Sequence, residues 1–446
     1  MAIVILLYLI TGAAVFFAFN LDAKPLNEEL LQWRTAVFIM LAPITLKFVV
    51  QLIAAALHVF KQRHYRSQGL LERTPRVSVI VPAWNEEVGI ISTLQSVIDT
   101  RYGNLELVVV NDGSTDSTHT LISDFIARHD ALVFDAQKAN IVYLNLVNGG
   151  KANAMNQALQ QVSGEFIITL DADSYMDPQA IVNLLKQFDG DDQIGAVAGN
   201  VIVGNRTKPI ALLQQLEYVY GFFFKRADAM FNSVYVIGGA AAAYRKSVLD
   251  IVGNFDHGII TEDIEMSMRI LAHGYKTRYA PDAVVFTEGP SEWKGLGKQR
   301  LRWKFGRLLT FIKHKSMFFN VSKANAYLTC LLLPVAVFVE VVLLLQPLLM
   351  AFFYTYLLLS QNFMPLLVLI GSMSALVLLQ ISIDAKSHFH RNIVILAPIA
   401  WIMMYAIDWV EFKALCRSLK KLVRRQTLEW QVWQRVGLGN NKLPQA

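Results

Sequence analysis

Phe166-Ile167-Ile168-Thr169-Leu170-Asp171-Ala172-Asp173 is the stretch that decides the fold, because residues suited to a buried strand run directly into two acids. Similar β-rich runs occupy Val77 to Val81, Leu105 to Val110 and Ile141 to Leu144. Helix-like stretches separate them at Glu87 to Asp99, Ser117 to His129 and Ala152 to Val162. This alternation predicts a doubly wound α/β domain, in which ligands bind at the carboxyl ends of the strands.

The acid pair that ends the fourth strand predicts a divalent cation. Asp171 and Asp173 are one residue apart, and the repulsion between their carboxylates favours an interposed Mg²⁺ or Mn²⁺ that bridges to a diphosphate. The alternative is a capped turn. However, Asp177 before Pro178 already caps the following helix, which leaves the pair without a structural role.

Polar residues also follow the first two strands. Asp112 is suited to accept the imide N–H of a uracil ring, with Pro82, Trp84, Asn85 and Glu86 lining the same pocket. The alternative for Asn111-Asp112-Gly113 is turn chemistry combined with a helix N-cap.

Two further helix starts carry charged residues. Gly149-Gly150-Lys151 is a small-residue helix N-terminus with an ammonium group, which suits a diphosphate but equally a plain glycine-rich turn. Thr261-Glu262-Asp263 precedes an apolar-periodic helix from Ile264 to His273. Acids in a first helical turn stabilise the helix dipole, and a carboxylate there is also a candidate general base.

The composition requires part of the chain to lie in lipid. Its 446 residues are 54% hydrophobic and 17% charged. Met1 to Phe19 and Ala36 to Phe60 are each long and apolar enough to span a membrane, and basic residues after the second place residue 61 onward in the cytoplasm. The two cysteines, Cys330 and Cys416, indicate neither a disulfide framework nor a zinc site.

A basic stretch from Ser291 to Lys315 contains the pentad Gln299-Arg300-Leu301-Arg302-Trp303. An amide with two guanidinium groups suits a diphosphate, and an indole suits the face of a sugar ring. The alternative is an interfacial helix that contacts membrane lipid, with Arg300 on headgroups. Nucleic acid is not expected as a partner, because the basic stretch adjoins membrane spans.

Three apolar segments follow, at Ala326 to Ser360, Met364 to Ile383 and Ile393 to Phe412. Three full crossings would place the basic tail outside, against the positive-inside rule, so we expect the first segment, with Pro347 near its middle, to be partly a hairpin arm or interfacial. Lys47 and Glu340 are ionisable residues at membrane depth, which either line a polymer path or form a structural pair. So few spans are compatible with a small accessory membrane subunit.

Four motifs in order carry a family resemblance: Asn111-Asp112-Gly113, Asp171-Ala172-Asp173, Thr261-Glu262-Asp263 and Gln299-Arg300-Leu301-Arg302-Trp303. Flanked by membrane spans, they resemble the processive membrane glycosyltransferases of family 2, the synthases of cellulose, chitin, hyaluronan and poly-N-acetylglucosamine. The stretches around Asp263 and from Lys294 to Trp303 look closest to the bacterial poly-N-acetylglucosamine synthases.

The resemblance implies a GT-A-type, Rossmann-like glycosyltransferase domain inserted between N-terminal and C-terminal transmembrane helices. It implies that Asp112 binds uracil, Asp171 the nucleotide and Asp173 the metal, with Asp263 as catalytic base. Gln299 and Arg302 would bind the diphosphate. The implied acceptor-side residues are Trp303, Glu262, Gly238 and Gly239.

The expected organisation is two transmembrane helices (1–60), a cytoplasmic catalytic domain (61–290), amphipathic interface helices (291–325), a transmembrane block (326–412) and a basic cytoplasmic tail (413–446). The tail is too short for the cyclic-di-GMP-binding barrel of the cellulose synthases.

The expected function is inverting, processive polymerisation of a UDP-sugar, UDP-N-acetylglucosamine, into a β-linked polysaccharide, with coupled export through the bacterial inner membrane. Two alternatives stay open: a non-processive transferase acting on a polyprenyl phosphate, which would not need the pentad, and a non-enzymatic scaffold or transporter.

Overall fold

The computed structural model describes residues 28–67, 73–131, 140–429 and 433–438, so the predicted span from Met1 to Phe19 lies outside the described residues. The strands are β1 (Val77–Ala83), β2 (Leu105–Asp112), β3 (Asn140–Leu146), β4 (Phe166–Thr169), β5 (Ser174–Met176), β6 (Ile194–Val203), β7 (Ala242–Arg245) and β8 (Lys276–Thr287).

The helices up to the end of the α/β domain are α1 (Glu28–Ser67), α2 (Ile90–Ile98), α3 (Thr118–Ala131), α4 (Lys151–Leu159), α5 (Ala180–Leu185), α6 (Pro209–Met230), α7 (Lys246–Val252) and α8 (Glu262–Ala272). The later helices are α9 (Trp293–Lys313), α10 (Leu333–Ser360), α11 (Met364–Ile383), α12 (Arg391–Val394) and α13 (Ala400–Val423).

One mixed sheet forms the centre of the α/β domain, with the strand order β3-β2-β1-β4-β7-β6-β8-β5. The four predicted strands are parallel neighbours, as expected. The sheet as a whole is mixed, because β7 runs antiparallel to β4 and β6, and β5 runs antiparallel to β8. Short strands such as Ala242-Ala243-Tyr244-Arg245 contain too few residues to show a clear period in the sequence.

The parallel strands are buried on both faces, which explains their continuous apolar runs. Successive side chains point to opposite faces, so Val79 packs with Leu94 of α2 in one core. Ile80 packs with Met155 of α4 in the other. Helices on both faces therefore fix the sheet and bring the carboxyl ends of β1, β2 and β4 to one edge.

Among the described residues, three helical segments are long and apolar enough to cross a membrane, namely 32–63, 327–360 and 364–383. The pair 387–394 and 397–423 also passes if counted together, but it is bent by 65°. The expected hairpin arm in this segment is wrong: α10 continues through Pro347, and the irregularity is a π-helical turn at Tyr327–Leu332. A proline is tolerated in such a helix because neighbouring groups can satisfy the carbonyl that it leaves without a partner.

The apolar helices pack directly on the α/β domain. Leu52 and Ala55 of α1 form a core with Phe223 and Phe224 of α6. Leu296 of α9 packs with Ile407 of α13. The α/β domain and its surrounding helices therefore share hydrophobic cores.

Candidate active site

A small cavity at the carboxyl edge of the sheet brings together residues from five separate motifs. Its lining includes Pro82, Lys151, Asp171, Glu262 and Asp263, with Gly239 closing one side. Pro82 lies near the end of β1, Lys151 and Asp171 follow β3 and β4, and the two acids begin α8, so the fold gathers distant parts of the chain at one point. Six of the residues predicted for nucleotide, base and acceptor thus line one cavity.

An ion-pair network occupies the centre of this cavity. Lys151 Nζ lies 2.6 Å from Asp171 Oδ1 and 3.4 Å from Glu262 Oε1. Burial opposes the charge on Lys151, but the carboxylates of Asp171 and Glu262 outweigh it and raise the pKa of Lys151. Burial raises the pKa of Glu262, whereas Lys151 overcomes burial at Asp171 and lowers the pKa of that carboxyl. Lys151 and Asp171 are therefore both charged at neutral pH.

Gly239, predicted together with Gly238 on the acceptor side, lies against this ion pair. Gly238 has a φ of +86°, a backbone conformation that favours glycine. A Cβ on Gly239 would lie 2.8 Å from Lys151 Nζ and 3.4 Å from Asp171 Oδ1. A side chain at Gly239 would therefore displace the Lys151 ammonium group from its present position.

Asp112 is 3% exposed and holds the loop that precedes α4. Its two carboxylate oxygens accept the backbone N–H groups of Gly149 (2.8 Å) and Gly150 (2.9 Å). Each oxygen has a second lone pair, so the carboxylate can still accept a base N–H. The uracil role of Asp112 remains a prediction, and the structure adds that Asp112 also positions the start of the Lys151 helix.

The predicted base-binding segment is tied to the loop after β2. Asn85, with a φ of +54°, donates its N–H to Ser114 Oγ and accepts the Thr115 N–H at 2.8 Å. The Glu86 N–H is bonded to Thr118 Oγ1 at 2.9 Å. Trp84 is half-buried beside them. The two motifs thus form one surface at the edge of the sheet, as the sequence predicted.

Asp173 is 9% exposed and already has a cation as its partner. Its Oδ2 lies 2.5 Å from Arg435 Nη1, and its Oδ1 accepts the hydroxyls of Ser174 (3.1 Å) and Thr287 (3.2 Å). The same guanidinium also pairs with Glu86. Burial raises the pKa of Glu86 to about 8, although Arg435 opposes this shift.

Sequence reasoning missed the C-terminal segment that delivers this arginine, residues 433–438. Glu288, also missed, accepts the backbone N–H groups of Val436 (2.7 Å) and Gly437 (3.0 Å). Arg435 also lies over the Trp433 ring, 4.2 Å from its centroid. Glu288 could have been found by the rule used elsewhere, because it directly follows the buried strand β8. Nothing in the spacing of Trp433 and Arg435 indicates a return to the sheet.

The predicted base, Asp263, lies in the first turn of α8. Its Oδ1 accepts the Ile264 N–H at 2.9 Å, which orients the carboxyl group at the helix N-terminus. Asp263 lines the cavity beside Glu262, Lys151 and Asp171. Its carboxylate thus lies beside the groups that are predicted to bind the diphosphate.

The pentad lies on α9, and its residues have different surroundings. Gln299 is 8% exposed, and its Oε1 has no hydrogen-bond partner among the described residues. Burial lowers the pKa of Arg302, an effect that the nearby carboxylates of Glu262, Asp171 and Asp263 oppose. Arg302 therefore acts on the same acids that line the cavity.

Arg300 and Glu340 behave differently from the expectation. Arg300 is fully buried in protein and paired with Glu217 and Glu411, so its expected contact with lipid headgroups is wrong. Glu340 does not pair with Lys47 but binds Lys304 and Arg307 of α9. These charged residues connect the pentad helix to the membrane block.

Asp171 and Asp173 are the acids that the sequence predicts near a divalent cation. Within residues 28–67, 73–131, 140–429 and 433–438, no group of three or more His, Cys, Asp or Glu side chains is placed to hold a metal ion. Mg²⁺ and Mn²⁺ commonly need only one or two carboxylates, because substrate phosphates complete their coordination. Asp173 is paired with the Arg435 guanidinium, so a divalent cation there would displace this arginine or share the carboxylate with it. The residues fit a divalent cation that binds together with a diphosphate.

Residues 75–306, just over half of the chain, match the family described as "Glycosyltransferase like family 2". The chain belongs to this glycosyltransferase family. The glycosyltransferase is 33% identical over 248 residues to a poly-beta-1,6-N-acetyl-D-glucosamine synthase of Staphylococcus epidermidis, a match that covers 55% of this chain and 56% of that protein. The synthase of the same name from Staphylococcus aureus strain COL is 33% identical over 231 residues, covering 52% and 54%. The chain thus spans about half the length of these relatives.

A solved structure supports the fold. The mannosyltransferase PcManGT from Pyrobaculum calidifontis, in complex with GDP-Man and Mn²⁺, is 19% identical and has a TM-score of 0.52. The match covers 87% of this chain and 100% of that one, so it extends beyond the residues matched by the family. The GT-A-like fold of the glycosyltransferase, with its adjoining apolar helices, agrees with the expectation from sequence.

Proposed function

We propose that this glycosyltransferase is a processive, inverting synthase that polymerises a UDP-activated sugar, UDP-N-acetylglucosamine, into a β-linked polysaccharide at the bacterial inner membrane. The observation that carries the proposal is the position of Asp263 in one cavity with Lys151, Asp171 and Glu262. The staphylococcal relatives named poly-beta-1,6-N-acetyl-D-glucosamine synthase support the donor and the product class.

The reaction is one displacement at the anomeric carbon. Asp263 takes the proton of the acceptor hydroxyl, whose oxygen bonds to the anomeric carbon as the bond to the diphosphate breaks. UDP leaves with the bonding pair, and the α-linked donor gives a β-linked product. A positioned base contributes a factor of about 10² to 10⁴ in rate.

The leaving diphosphate needs positive charge around it. Lys151 and Arg302 supply two cations near the cavity, and Gln299 supplies an amide N–H donor. Mg²⁺ or Mn²⁺, when held by Asp173, supplies further charge that stabilises the departing UDP. Asp112, with Trp84, Asn85 and Glu86, would hold the uracil, while Trp303 would stack on the acceptor sugar.

The decisive experiment is Asp263→Asn in the full chain reconstituted in lipid. We expect transfer from UDP-N-acetylglucosamine to fall by about 10²-fold or more, because the amide cannot take the proton. UDP affinity should stay within about twofold. Asp250→Asn, an exposed acid of α7, is the matched control with wild-type turnover. Wild-type turnover in Asp263→Asn would remove the base assignment.

The product separates the proposal from its alternatives. A long polymer digested by β-specific glycosidases supports processive synthesis, whereas a single sugar on a lipid supports the polyprenyl phosphate transferase. No UDP release with any nucleotide sugar would favour a scaffold or transporter. Export, and the need for a small accessory membrane subunit, would be tested by recovering polymer inside sealed vesicles that contain this chain alone.

A further inference from the structure

Arg300 is a buried cation that the predicted chemistry does not use. It is fully buried, and its Nη2 lies 2.5 Å from Glu217 Oε2 on α6. Its Nε lies 3.2 Å from Glu411 Oε1 on α13. Its guanidinium carbon lies over Trp303, 4.2 Å from the ring centroid. One side chain therefore contacts the catalytic domain, a C-terminal helix and the predicted acceptor-binding indole.

Two further cations on α9 continue the pattern. Lys304 Nζ lies 2.7 Å from Glu340 of α10 and 2.9 Å from Glu411. Arg307 also pairs with Glu340. Three cations thus face three carboxylates from three different helices, and we call this set the ionic ladder, consisting of Arg300, Lys304, Arg307, Glu217, Glu340 and Glu411.

The ladder occupies a different face of α9 from the predicted substrate residues. At 3.6 residues per turn, its three cations lie within about 60° of one another around the helix axis. Gln299, Arg302 and Trp303 are centred roughly 110° away by the same arithmetic. Rotation of α9 about its axis would therefore move both faces together. Arg300 belongs to the ladder and also contacts Trp303 on the substrate face.

Stability alone is a weak reason for this arrangement. The free energy needed to remove two charges from water is about as large as the free energy gained from their attraction. Buried ion pairs can therefore often be replaced by apolar residues without loss of folding stability. What such pairs supply is a fixed geometry, because the hydrogen bond from Arg300 Nη2 to Glu217 has a defined direction that tolerates little rotation. Glu411 adds a charge contact to Nε without a hydrogen bond. The stack of Arg300 on Trp303 passes this constraint directly to the indole.

We propose that Arg300 is a positioning residue, through which Glu217 and Glu411 fix the orientation of Trp303. This inference rests on the proposed function, since it assigns Trp303 to the acceptor sugar. Arg300 touches neither donor nor acceptor in this role. It holds the indole at the angle at which the acceptor hydroxyl meets the donor, and it makes that angle depend on the position of α13.

The first test removes a matched pair of charges. In Arg300→Gln combined with Glu217→Gln, no buried charge of this pair remains uncompensated, so the fold should persist. We expect kcat for transfer to fall about 10- to 100-fold, the size of effect that misplacing a reacting group produces. The donor KM and the UDP Kd should stay within about twofold. Lys246→Gln with Asp250→Asn, an exposed ion pair on α7, is the control with wild-type kcat.

The second test asks whether Arg300 acts through Trp303. Arg300→Lys keeps the charge but loses the planar stack, and alone it should lower kcat and shorten the polymer. In a Trp303→Phe background the same change should add less than about a twofold further loss, because residues that act as one unit are not additive. Fully multiplicative losses, or wild-type kcat and polymer length in the charge-balanced pair, would overturn the proposal.

Failure of the proposed function looks different. In that case wild-type protein would release no UDP or make no polymer from UDP-N-acetylglucosamine. Failure of the positioning role alone leaves wild-type synthesis intact and the Arg300 variants unimpaired.

Discussion

Arg435 provides a cation at the carboxylate that is predicted to bind the metal. Burial would lower the pKa of its guanidinium, but Asp173 and Glu86 outweigh burial and raise it, so Arg435 remains charged. A divalent cation at Asp173 must therefore compete with this guanidinium or share the carboxylate with it. Charge-assisted hydrogen bonds of this kind contribute about 1.5–3 kcal/mol each.

We therefore expect Arg435→Ala to bind Mn²⁺ more tightly than the wild-type chain. An increase in affinity of about tenfold corresponds to ~1.4 kcal/mol. Calorimetric titration of the substrate-free protein measures this directly, without dependence on turnover. Arg424→Ala, an exposed arginine at the end of α13, is the control. Equal Mn²⁺ affinity in both variants would show that Arg435 does not compete.

Individual site residues could be predicted from the sequence where they follow a buried strand. Asp112 and Asp171 were found this way, because a polar residue directly after an apolar run is placed at the carboxyl edge of the sheet. Arg435 could not be found, since its position depends on where a distant segment of the chain returns. Arg300 was misread for a related reason: its carboxylate partners lie 83 and 111 positions away, on α6 and α13.

At the scale of elements, the contact between α8 and α9 depends on one glycine. A Cβ on Gly306 of α9 would collide with the side chain of Thr261, the residue immediately before Glu262 and Asp263. The helix that carries the pentad therefore packs directly against the start of the helix that carries the predicted base.

Gly306→Ala should push α9 away from Thr261 and displace Asp263. We expect a loss of transfer of about tenfold or more, since small displacements at a reacting centre are costly, and overpacking should cost about 1–3 kcal/mol of stability. Gly297→Ala on the same helix is the matched control, because nothing lies within 4 Å of its added Cβ. Transfer assays and thermal unfolding in detergent check both effects, and equal activity in the two variants would contradict the prediction.

Glu265 gives the same pair of helices a dependence on pH. Burial would raise its pKa, but hydrogen bonds from His314, Arg269 and Lys313 outweigh burial and lower the pKa to about 2. Because the folded-state pKa lies below the unfolded value, this carboxylate stabilises the fold above about pH 4.5, and the contribution is lost as the pH falls toward 2.

The unfolding temperature of the wild-type chain should therefore fall between pH 5 and pH 3 by more than that of Glu265→Gln. At pH 7 the wild-type chain should be more stable than Glu265→Gln. Thermal scans across this pH range in one detergent measure the difference. Parallel curves for the two proteins would show that Glu265 does not carry the effect.

Long strands and helices could be predicted from the sequence because their hydrophobic patterns are strong. Short or interrupted elements could not be predicted in this way. Strands β1 to β4 and helices α2 to α4 lie within a few residues of their predicted bounds. The four-residue strand β7 gave no usable period, and Pro347 suggested a break where packing in an apolar environment keeps the helix continuous. The bend of 65° before α13 has no sequence signature of its own.

At the scale of the whole molecule, both ends of the bent pair contact the catalytic domain. Phe389, just before the bend, packs on Phe286 of β8 with ring centroids 5.1 Å apart, and Lys386 lies 2.7 Å from Asp177. After α13, Arg435 reaches Asp173. A segment whose two ends both contact the catalytic domain is expected to have both ends on one side of the membrane. We therefore predict that the bent pair is re-entrant and that α10 and α11 cross the membrane after the catalytic domain.

A cleavable tag after Ala446 should therefore lie on the same side of the membrane as the catalytic domain, in the cytoplasm. Added protease should remove it in inverted vesicles but leave it intact in spheroplasts. The same tag inserted after Gln361, between α10 and α11, should give the opposite result, because this loop lies between the two crossings. Removal of the C-terminal tag from the periplasmic side alone would mean that the bent pair crosses the membrane, and would separate Arg435 from the active site.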